Sequence, residues 1–227
     1  MNIAVVSRDP KRLKENVRTI LRYKKNLGKH PEIVVALGGD GTFLAAERFY
    51  PGIPKLLVRS RSICNKCDWD NLGEGLRRLL LGSFSVREFA KIGVRVHDIT
   101  IEATNDVVVR NTRPTEAVRF RISLDGKDLG EELIGDGIVV STAFGSEGYF
   151  RSIARRHFEK GIGIAFNNLT RKRDPLLLDT PAKITLEITR GEAYVAADNN
   201  PELIVVREGE KVVIEQSRNV ARIVRLK

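Results

Sequence analysis

Ile33-Val34-Val35-Ala36-Leu37-Gly38-Gly39-Asp40-Gly41-Thr42 is the stretch that decides the fold, because an apolar run meets three glycines and an acid there. Five consecutive apolar residues that end at glycine predict a buried strand. Apolar side chains recur after Thr42 and predict a helix. Glycines between a strand and a helix let the backbone approach a ligand, and they permit a positive φ. The stretch predicts either an anion-binding turn or a tight turn that caps a helix.

Asp40 is the side chain of this turn that can do chemistry. A carboxylate beside an anion-binding turn repels phosphate, so its presence needs another reason. Holding a metal ion is one such reason, and accepting a proton from a reacting hydroxyl is another. The backbone of Gly38, Gly39, Gly41 and Thr42 would supply the donors for a triphosphate.

Strand and helix patterns alternate over the first 84 residues. Strands are predicted at residues 3–7, 33–37 and 55–58, and helices at 9–27, 42–50 and 72–81. This order implies a short parallel sheet with helices on its faces. Ligands bind beyond the carboxyl ends of such strands, where the glycine turn lies.

From residue 85 onward most segments alternate or show β-branched runs typical of strands, and Asp125-Gly126 predicts a hairpin. A helix is predicted at 146–156. The predicted fold is a small parallel-sheet α/β domain over residues 1–84, followed by a β-rich, sandwich-like domain over 85–227. The site is predicted in the cleft between these two domains.

Composition narrows the function. A formal net charge of +10 suits nucleic acid, membranes or polyphosphate ligands. The basic residues are spread along the chain and aromatic residues are only 6%, which argues against nucleic-acid binding. A highly charged, thermophile-like surface is the alternative. No apolar stretch approaches the roughly 20 residues that span a bilayer, and two cysteines argue against a secreted disulfide scaffold. The chain is predicted to be cytoplasmic.

A second motif runs through Gly135-Asp136-Gly137, an apolar strand, Ser141-Thr142 and Gly145-Ser146-Glu147-Gly148-Tyr149. Together with the first stretch it resembles the NAD kinase family, within the wider group of kinases that share the Gly-Gly-Asp-Gly phosphate loop. Weaker likenesses follow in the expected order along the chain. They are Asn105-Asp106 for the family's Asn-Glu pair, the segment 164–169, and Ala197-Asp198 for the Asp-Gly of a late hairpin.

The resemblance implies a role for each matching residue. Asp40 would be the catalytic carboxylate that accepts the proton of a sugar hydroxyl, with a metal-organising role as the alternative. Asn105 would contact the adenine base and Asp106 the ribose. Further substrate-binding positions are Asp136, Glu147, Gly148, Tyr149 and Asp198. Taken alone, Asn105-Asp106 and Asp198 would be ordinary turn residues, and Tyr149 a core residue.

Three departures from the family pattern bear on the substrate. Glu147 stands where the family has a small hydroxyl residue, and Asp106 is one methylene shorter than the family's Glu. The family's glycine- and asparagine-containing loop after the third strand is replaced by residues 59–67. That loop contains Cys64 and Cys67, a lone pair that is two ligands short of a structural zinc site.

The resemblance implies an ATP-dependent kinase that phosphorylates the adenosine ribose 2′-hydroxyl of NAD to give NADP. It further implies Mg²⁺ bridging the phosphates and a homo-dimer or homo-tetramer. Two alternatives stay open: a kinase of the same fold with another small hydroxyl substrate, and a non-catalytic nucleotide-binding regulator.

Overall fold

The structure is a computed structural model that describes residues 1–28, 30–59, 66–67, 69 and 71–227. It contains two compact units. The first comprises Met1–Phe89 and Val220–Lys227, and the second comprises Ala90–Asn219. The predicted α/β part and the β-rich part that follows it are confirmed. None of the helices in the described ranges is long and apolar enough to cross a membrane.

The first unit is built on a parallel sheet of β1 (Ile3–Val6), β2 (Ile33–Gly38) and β3 (Lys55–Arg59). The end of the last strand, β16 (Lys211–Leu226), joins it beside β3, with Ile223 opposite Lys55. The helices are α1 (Pro10–Glu15), α2 (Val17–Arg22), α3 (Asp40–Phe49) and α4 (Leu72–Leu80). Every residue of β2 is buried, as an apolar run between two neighbouring parallel strands requires.

One long helix was predicted after Asp9, and this was wrong. Two six-residue helices form instead, separated at Asn16. The Asn16 side chain donates to the carbonyl of Arg12 at 2.9 Å. Asparagine competes with the helical backbone in this way, which explains the interruption.

A buried ion pair supports the helix that follows the glycine turn. Glu47 of α3 and Lys55 of β3 pair with each other, and both side chains are almost fully buried. Glu47 also accepts from the amide of Gly52 at 3.0 Å, and Lys55 donates to the carbonyl of Tyr50 at 2.5 Å. These extra hydrogen bonds give both charged groups a second partner, which helps to offset the cost of burying the pair.

The second unit contains a six-stranded antiparallel sheet, in the order β12–β11–β10–β6–β14–β15. These strands are β6 (Asp106–Asn111), β10 (Gly137–Thr142), β11 (Ile162–Asn167), β12 (Leu176–Leu178), β14 (Glu192–Ala197) and β15 (Ile204–Arg207). The strand patterns did not predict β11 and β12. The second residue of β11 is Gly163, and a glycine weakens a strand pattern.

Other strands of the second unit pair around β7 (Val118–Leu124). They are β8 (Lys127–Asp128), β9 (Leu133–Gly135) and β13 (Ile184–Arg190), and β13 pairs in turn with the first part of β16. β4 (Phe84–Val96) pairs with β5 (Ile99–Ala103). Side chains from both sets of strands form one buried apolar cluster, the arrangement expected of a β-sandwich.

The helix predicted at 146–156 is shorter than expected. α5 comprises Tyr149–Ala154, with Gly148 as its N-cap. Ser146 does not begin the helix. It is buried, and its hydroxyl donates to the carbonyl of Phe158 at 2.8 Å. Glu147 therefore lies in the turn before the helix and not in its first turn.

Candidate active site

The glycine turn joins β2 to α3 in the first unit. Gly38 ends the strand, Gly39 is the helix N-cap, and Asp40 is the first helical residue. A positive φ was expected to be one use of these glycines, but Gly39 has φ −115° and ψ −167°, which is extended backbone that any residue can adopt. Gly38 is needed for space, because a Cβ there would lie 2.1 Å from the Thr42 hydroxyl oxygen.

Asp40 is half-buried at the N-terminus of a ten-residue helix. Its Oδ1 accepts a hydrogen bond from the amide of Lys66 at 3.1 Å. The helix N-terminus favours a negative charge there. The loop at residues 59–67 departs from the family pattern. Its residues 60–65, which include Cys64, lie outside the described residues, and Cys67 is buried.

The segment Thr104-Asn105-Asp106 of the second unit is held by Asp198. The Asp198 carboxylate accepts from three consecutive amides, those of Thr104 at 2.8 Å, Asn105 at 2.7 Å and Asp106 at 3.2 Å. The amide of Asp198 donates in return to the carbonyl of Asp106 at 2.8 Å. The three predicted substrate residues outside the second motif, Asn105, Asp106 and Asp198, are therefore brought together.

Residues of the second motif hydrogen-bond to the carbonyls of the same segment, residues 104–106. The Thr142 amide donates to the Asn105 carbonyl at 2.9 Å, and the Thr142 hydroxyl donates to the Thr104 carbonyl at 2.6 Å. The Ser141 hydroxyl donates to the Asn105 carbonyl at 3.2 Å. Gly145 lies so close that a Cβ would be 2.3 Å from that carbonyl oxygen. The Ser-Thr and Gly of the motif are thus explained by backbone contacts with residues 104–105.

Asp106 and Asp198 form a buried pair of carboxyl groups. Burial, and secondly the charge of Asp198, raise the pKa of Asp106 to about 7. Burial also raises the pKa of Asp198, against the lowering effect of the three amides and of Lys91. Two like charges out of water disfavour full ionisation of both groups. Asp106 therefore changes its charge near neutral pH.

Lys91 and Glu102 complete the charged groups around this pair, and sequence reasoning missed both. The Lys91 ammonium is 5% exposed and donates to Glu102 at 2.8 Å. Glu102 also accepts from Ser217 and, at 2.9 Å, from Asn219. A Lys on β4 near a Glu on β5 is an ordinary cross-strand pair in sequence. Only its burial distinguishes it.

Asp136 and Tyr149 lie elsewhere in the second unit. Asp136 accepts from the Asn168 side chain at 3.3 Å, and the Tyr149 hydroxyl accepts from Asn167 at 3.3 Å. Asp136 directly precedes β10, whereas Ser141 near its other end is opposite Asp106. Five residues of strand place Asp136 about 17 Å from Asp106 along β10. Within the second unit, Asp136 therefore does not join the Asp198 group.

Glu147 and Gly148 are exposed. Gly137, in contrast, is constrained: its φ is +128°, and a Cβ would lie 2.0 Å from the Val109 carbonyl oxygen. Strand pairing therefore requires Gly137, whatever role the second motif has toward a ligand.

The described residues contain no group of three or more His, Cys, Asp or Glu side chains that could hold a metal ion. This donor set does not form a resident magnesium cage. Mg²⁺ usually keeps several waters and is bound by substrate phosphates with one or two carboxylates. The half-buried Asp40 at the glycine turn could supply one such carboxylate.

A parallel-sheet unit with an acidic glycine turn, followed by a β-sandwich unit with a buried carboxyl pair, defines a two-unit nucleotide kinase fold. The family model described as the ATP-NAD kinase C-terminal domain matches residues 104–226, which is more than half of the chain. The NAD kinase of Methanopyrus kandleri is 28% identical over 211 residues, covering 88% of this chain and 75% of that protein.

Solved structures agree in fold. An NAD kinase from Archaeoglobus fulgidus in complex with ATP has a TM-score of 0.79 at 20% identity, covering 100% of this chain and 94% of that one. Yeast NADH kinase complexed with NADH has a TM-score of 0.88 at 14% identity, covering 100% of this chain and 84% of that one. The chain belongs to the NAD kinase family and is a phosphotransferase.

Proposed function

We propose that this chain transfers the terminal phosphoryl group of ATP to the 2′-hydroxyl of the adenosine ribose of NAD, giving NADP. The observation that carries the proposal is the intact acidic glycine turn, with Asp40 at the first position of α3. Phosphoryl transfer depends mainly on positioning and on charge neutralisation, for which backbone donors at a helix N-terminus are suited.

Asp40 would accept the proton of the attacking hydroxyl. It is half-buried, and its Oδ1 is oriented by the Lys66 amide. A carboxylate held in this way is a suitable general base, because it is fixed before the substrate arrives. Mg²⁺, when bound with ATP, would neutralise charge on the phosphates. The glycine turn would orient those phosphates.

The adenosine end of NAD would be held by the second unit. Asn105 would contact the base, and Asp106 would accept hydrogen bonds from the ribose hydroxyls. Both residues lie on a segment whose amides and carbonyls are fixed by Asp198, Ser141 and Thr142. A fixed backbone reduces the entropy lost when a ligand binds.

The test is direct. The purified chain is incubated with ATP, Mg²⁺ and NAD, and NADP is measured by an NADP-specific dehydrogenase. NADH, adenosine and simple sugars are assayed in parallel. We expect NAD or NADH to give the highest kcat/KM. Turnover of a sugar above both would assign the chain to the alternative kinase, and nucleotide binding without any turnover would assign it to the regulator class.

A further inference from the structure

Asp198 forms hydrogen bonds to residues 104–106 through both its backbone amide and its side-chain carboxylate. Its φ is +50°, an uncommon conformation for a residue with a side chain, and one that Asp tolerates better than most. This conformation lets its amide donate to the Asp106 carbonyl while its carboxylate accepts from the amides of residues 104–106.

These contacts occupy the carboxylate. Oδ1 accepts from the amides of Asn105 and Asp106, and Oδ2 accepts from the amide of Thr104. A carboxylate has about four lone-pair positions, and the Asp198 group is buried in the second unit. Three of the positions are used by protein, which leaves little capacity for a ligand.

We propose that Asp198 is a positioning residue for adenosine recognition, which acts by fixing the backbone of Asn105 and Asp106 and does not itself contact the substrate. This inference rests on the proposed function only in naming NAD as the ligand. It changes the role of Asp198 from the substrate contact that family likeness implies to a support for two such contacts.

The physical reason is the number of amides that depend on one side chain. Three partly buried N–H groups would lose their acceptor together if Asp198 were removed, and a donor left unpaired away from water is costly. The carbonyls of residues 104 and 105 are held separately by Thr142 and Ser141. Loss of Asp198 would therefore loosen one side of the segment without releasing the other, so that it moves without unfolding the sheet.

Asp198→Asn is the informative variant. Asparagine tolerates the same positive φ, but its amide nitrogen cannot accept from an N–H. We expect the KM for NAD to rise about tenfold or more, with kcat and the KM for ATP within about twofold, because a weakened hold on one substrate appears mainly as weaker uniform binding. Asp179→Asn, an exposed Asp outside the site, is the matched control and should leave all three constants unchanged.

Hydrogen exchange separates positioning from direct contact. In the ligand-free protein, the amides of Thr104, Asn105 and Asp106 should exchange faster in Asp198→Asn than in the wild type. If Asp198 contacts the substrate directly, the KM will rise while these three amides keep their wild-type protection. If the amides exchange faster but the affinity for NAD is unchanged, the segment is not what binds adenosine, and the proposal fails.

The proposal can be tested even when turnover or folding fails. If the wild type makes no NADP, the proposed function is wrong, and calorimetric affinities for NAD and for ATP still compare wild type with Asp198→Asn. If Asp198→Asn does not fold, Thr142→Val removes the hydroxyl that donates to the Thr104 carbonyl. It should raise the KM for NAD without changing that for ATP; equal changes in both would refute the proposal.

Discussion

Asp40 in the first unit and the Asp106–Asp198 pair in the second are the two acidic groups among the candidate residues, and they are built in opposite ways. Asp40 is half-buried at the start of a helix, and one hydrogen bond to it comes from the Lys66 amide. Asp106 is buried; Asp198 is a half-buried residue whose carboxyl group is enclosed by protein, and it alone satisfies three amides.

The difference in burial and hydrogen bonding separates a carboxylate that can react from one that holds the backbone. A partly exposed carboxylate whose backbone is ordinary can be substituted without disturbing the core. An enclosed carboxylate that satisfies backbone amides cannot be substituted in this way, because ligand binding and folding depend on the same contacts. We therefore expect substitutions at Asp40 to affect rate alone, and substitutions around Asp198 to affect stability and affinity together.

Asp40→Asn tests the first half of the comparison and has the largest expected effect. The change is nearly isosteric and removes the proton acceptor, so kcat should fall by about two to four orders of magnitude. The melting temperature should stay within about 2 °C of the wild type, since the change keeps the shape of the side chain and lies outside the buried apolar core. Steady-state kinetics and a thermal melt measure the two effects.

Glu15→Gln, an exposed carboxylate of α1, is the control for charge loss in the same unit. It should match the wild type in both measurements. Near-normal kcat in Asp40→Asn would contradict the general-base role. A large fall in melting temperature would contradict the contrast between the two regions.

Gly145→Ala tests the second half. A Cβ there would lie 2.3–2.5 Å from three backbone atoms of Asn105, which cannot rotate away. Overpacking of this kind costs about 1–3 kcal/mol. We expect both a lower melting temperature and a higher KM for NAD.

Gly93→Ala is the matched control, because the nearest atom to a Cβ there is the Glu215 carbonyl oxygen at 4.0 Å. It should keep the KM of the wild type. If Gly145→Ala loses stability but binds NAD normally, the contact with Asn105 does not transmit to the ligand.

Asp106→Asn tests the charge of the buried pair. Because the pKa of Asp106 is raised to about 7, its protonated form is favoured in the folded protein. Its contribution to stability is therefore present below its unfolded pKa of about 4 and is lost as the pH rises through about 7. Asp106→Asn should accordingly gain stability relative to the wild type at pH 8, by a few degrees of melting temperature.

At pH 5 the gain should be smaller, because most of the wild-type loss of stability falls between pH 5 and the folded pKa of about 7. Melts at both pH values measure the difference, with Asp198, Lys91 and Glu102 present in both proteins. A melting-temperature difference that is the same at pH 5 and pH 8 would show that Asp106 does not titrate in this range.

Glu147→Thr with Gly148→Ala has the smallest expected effect. Both residues are exposed in the turn before α5, and a Cβ at Gly148 would lie 3.2 Å from the Gly145 carbonyl oxygen. Stability should therefore fall by no more than about 1 kcal/mol. If Glu147 determines specificity, the ranking of kcat/KM across NAD, NADH, adenosine and simple sugars will change. An unchanged ranking would remove that role and favour a plain NAD kinase.

The sequence predicted most of the strands, because alternating or continuous apolar runs reflect one-sided or two-sided burial. It failed where local chemistry competes with the pattern. Asn16 interrupts a helix through its own side chain, and Ser146 is bonded to Phe158 in place of the start of α5. Side-chain hydrogen bonds of this kind do not change hydrophobic periodicity, so pattern reasoning cannot detect them.

The sequence by itself determined the α/β-then-β order, the acidic glycine turn and, through its two motifs, membership of the NAD kinase family. Only the tertiary structure decided that Asp198 satisfies the amides of residues 104–106 across more than ninety positions of chain, that Lys91 is buried, and that Asp106 titrates near neutral pH. Hydrogen-bond partners and pKa values depend on burial and on neighbours distant in sequence, and a linear pattern contains neither.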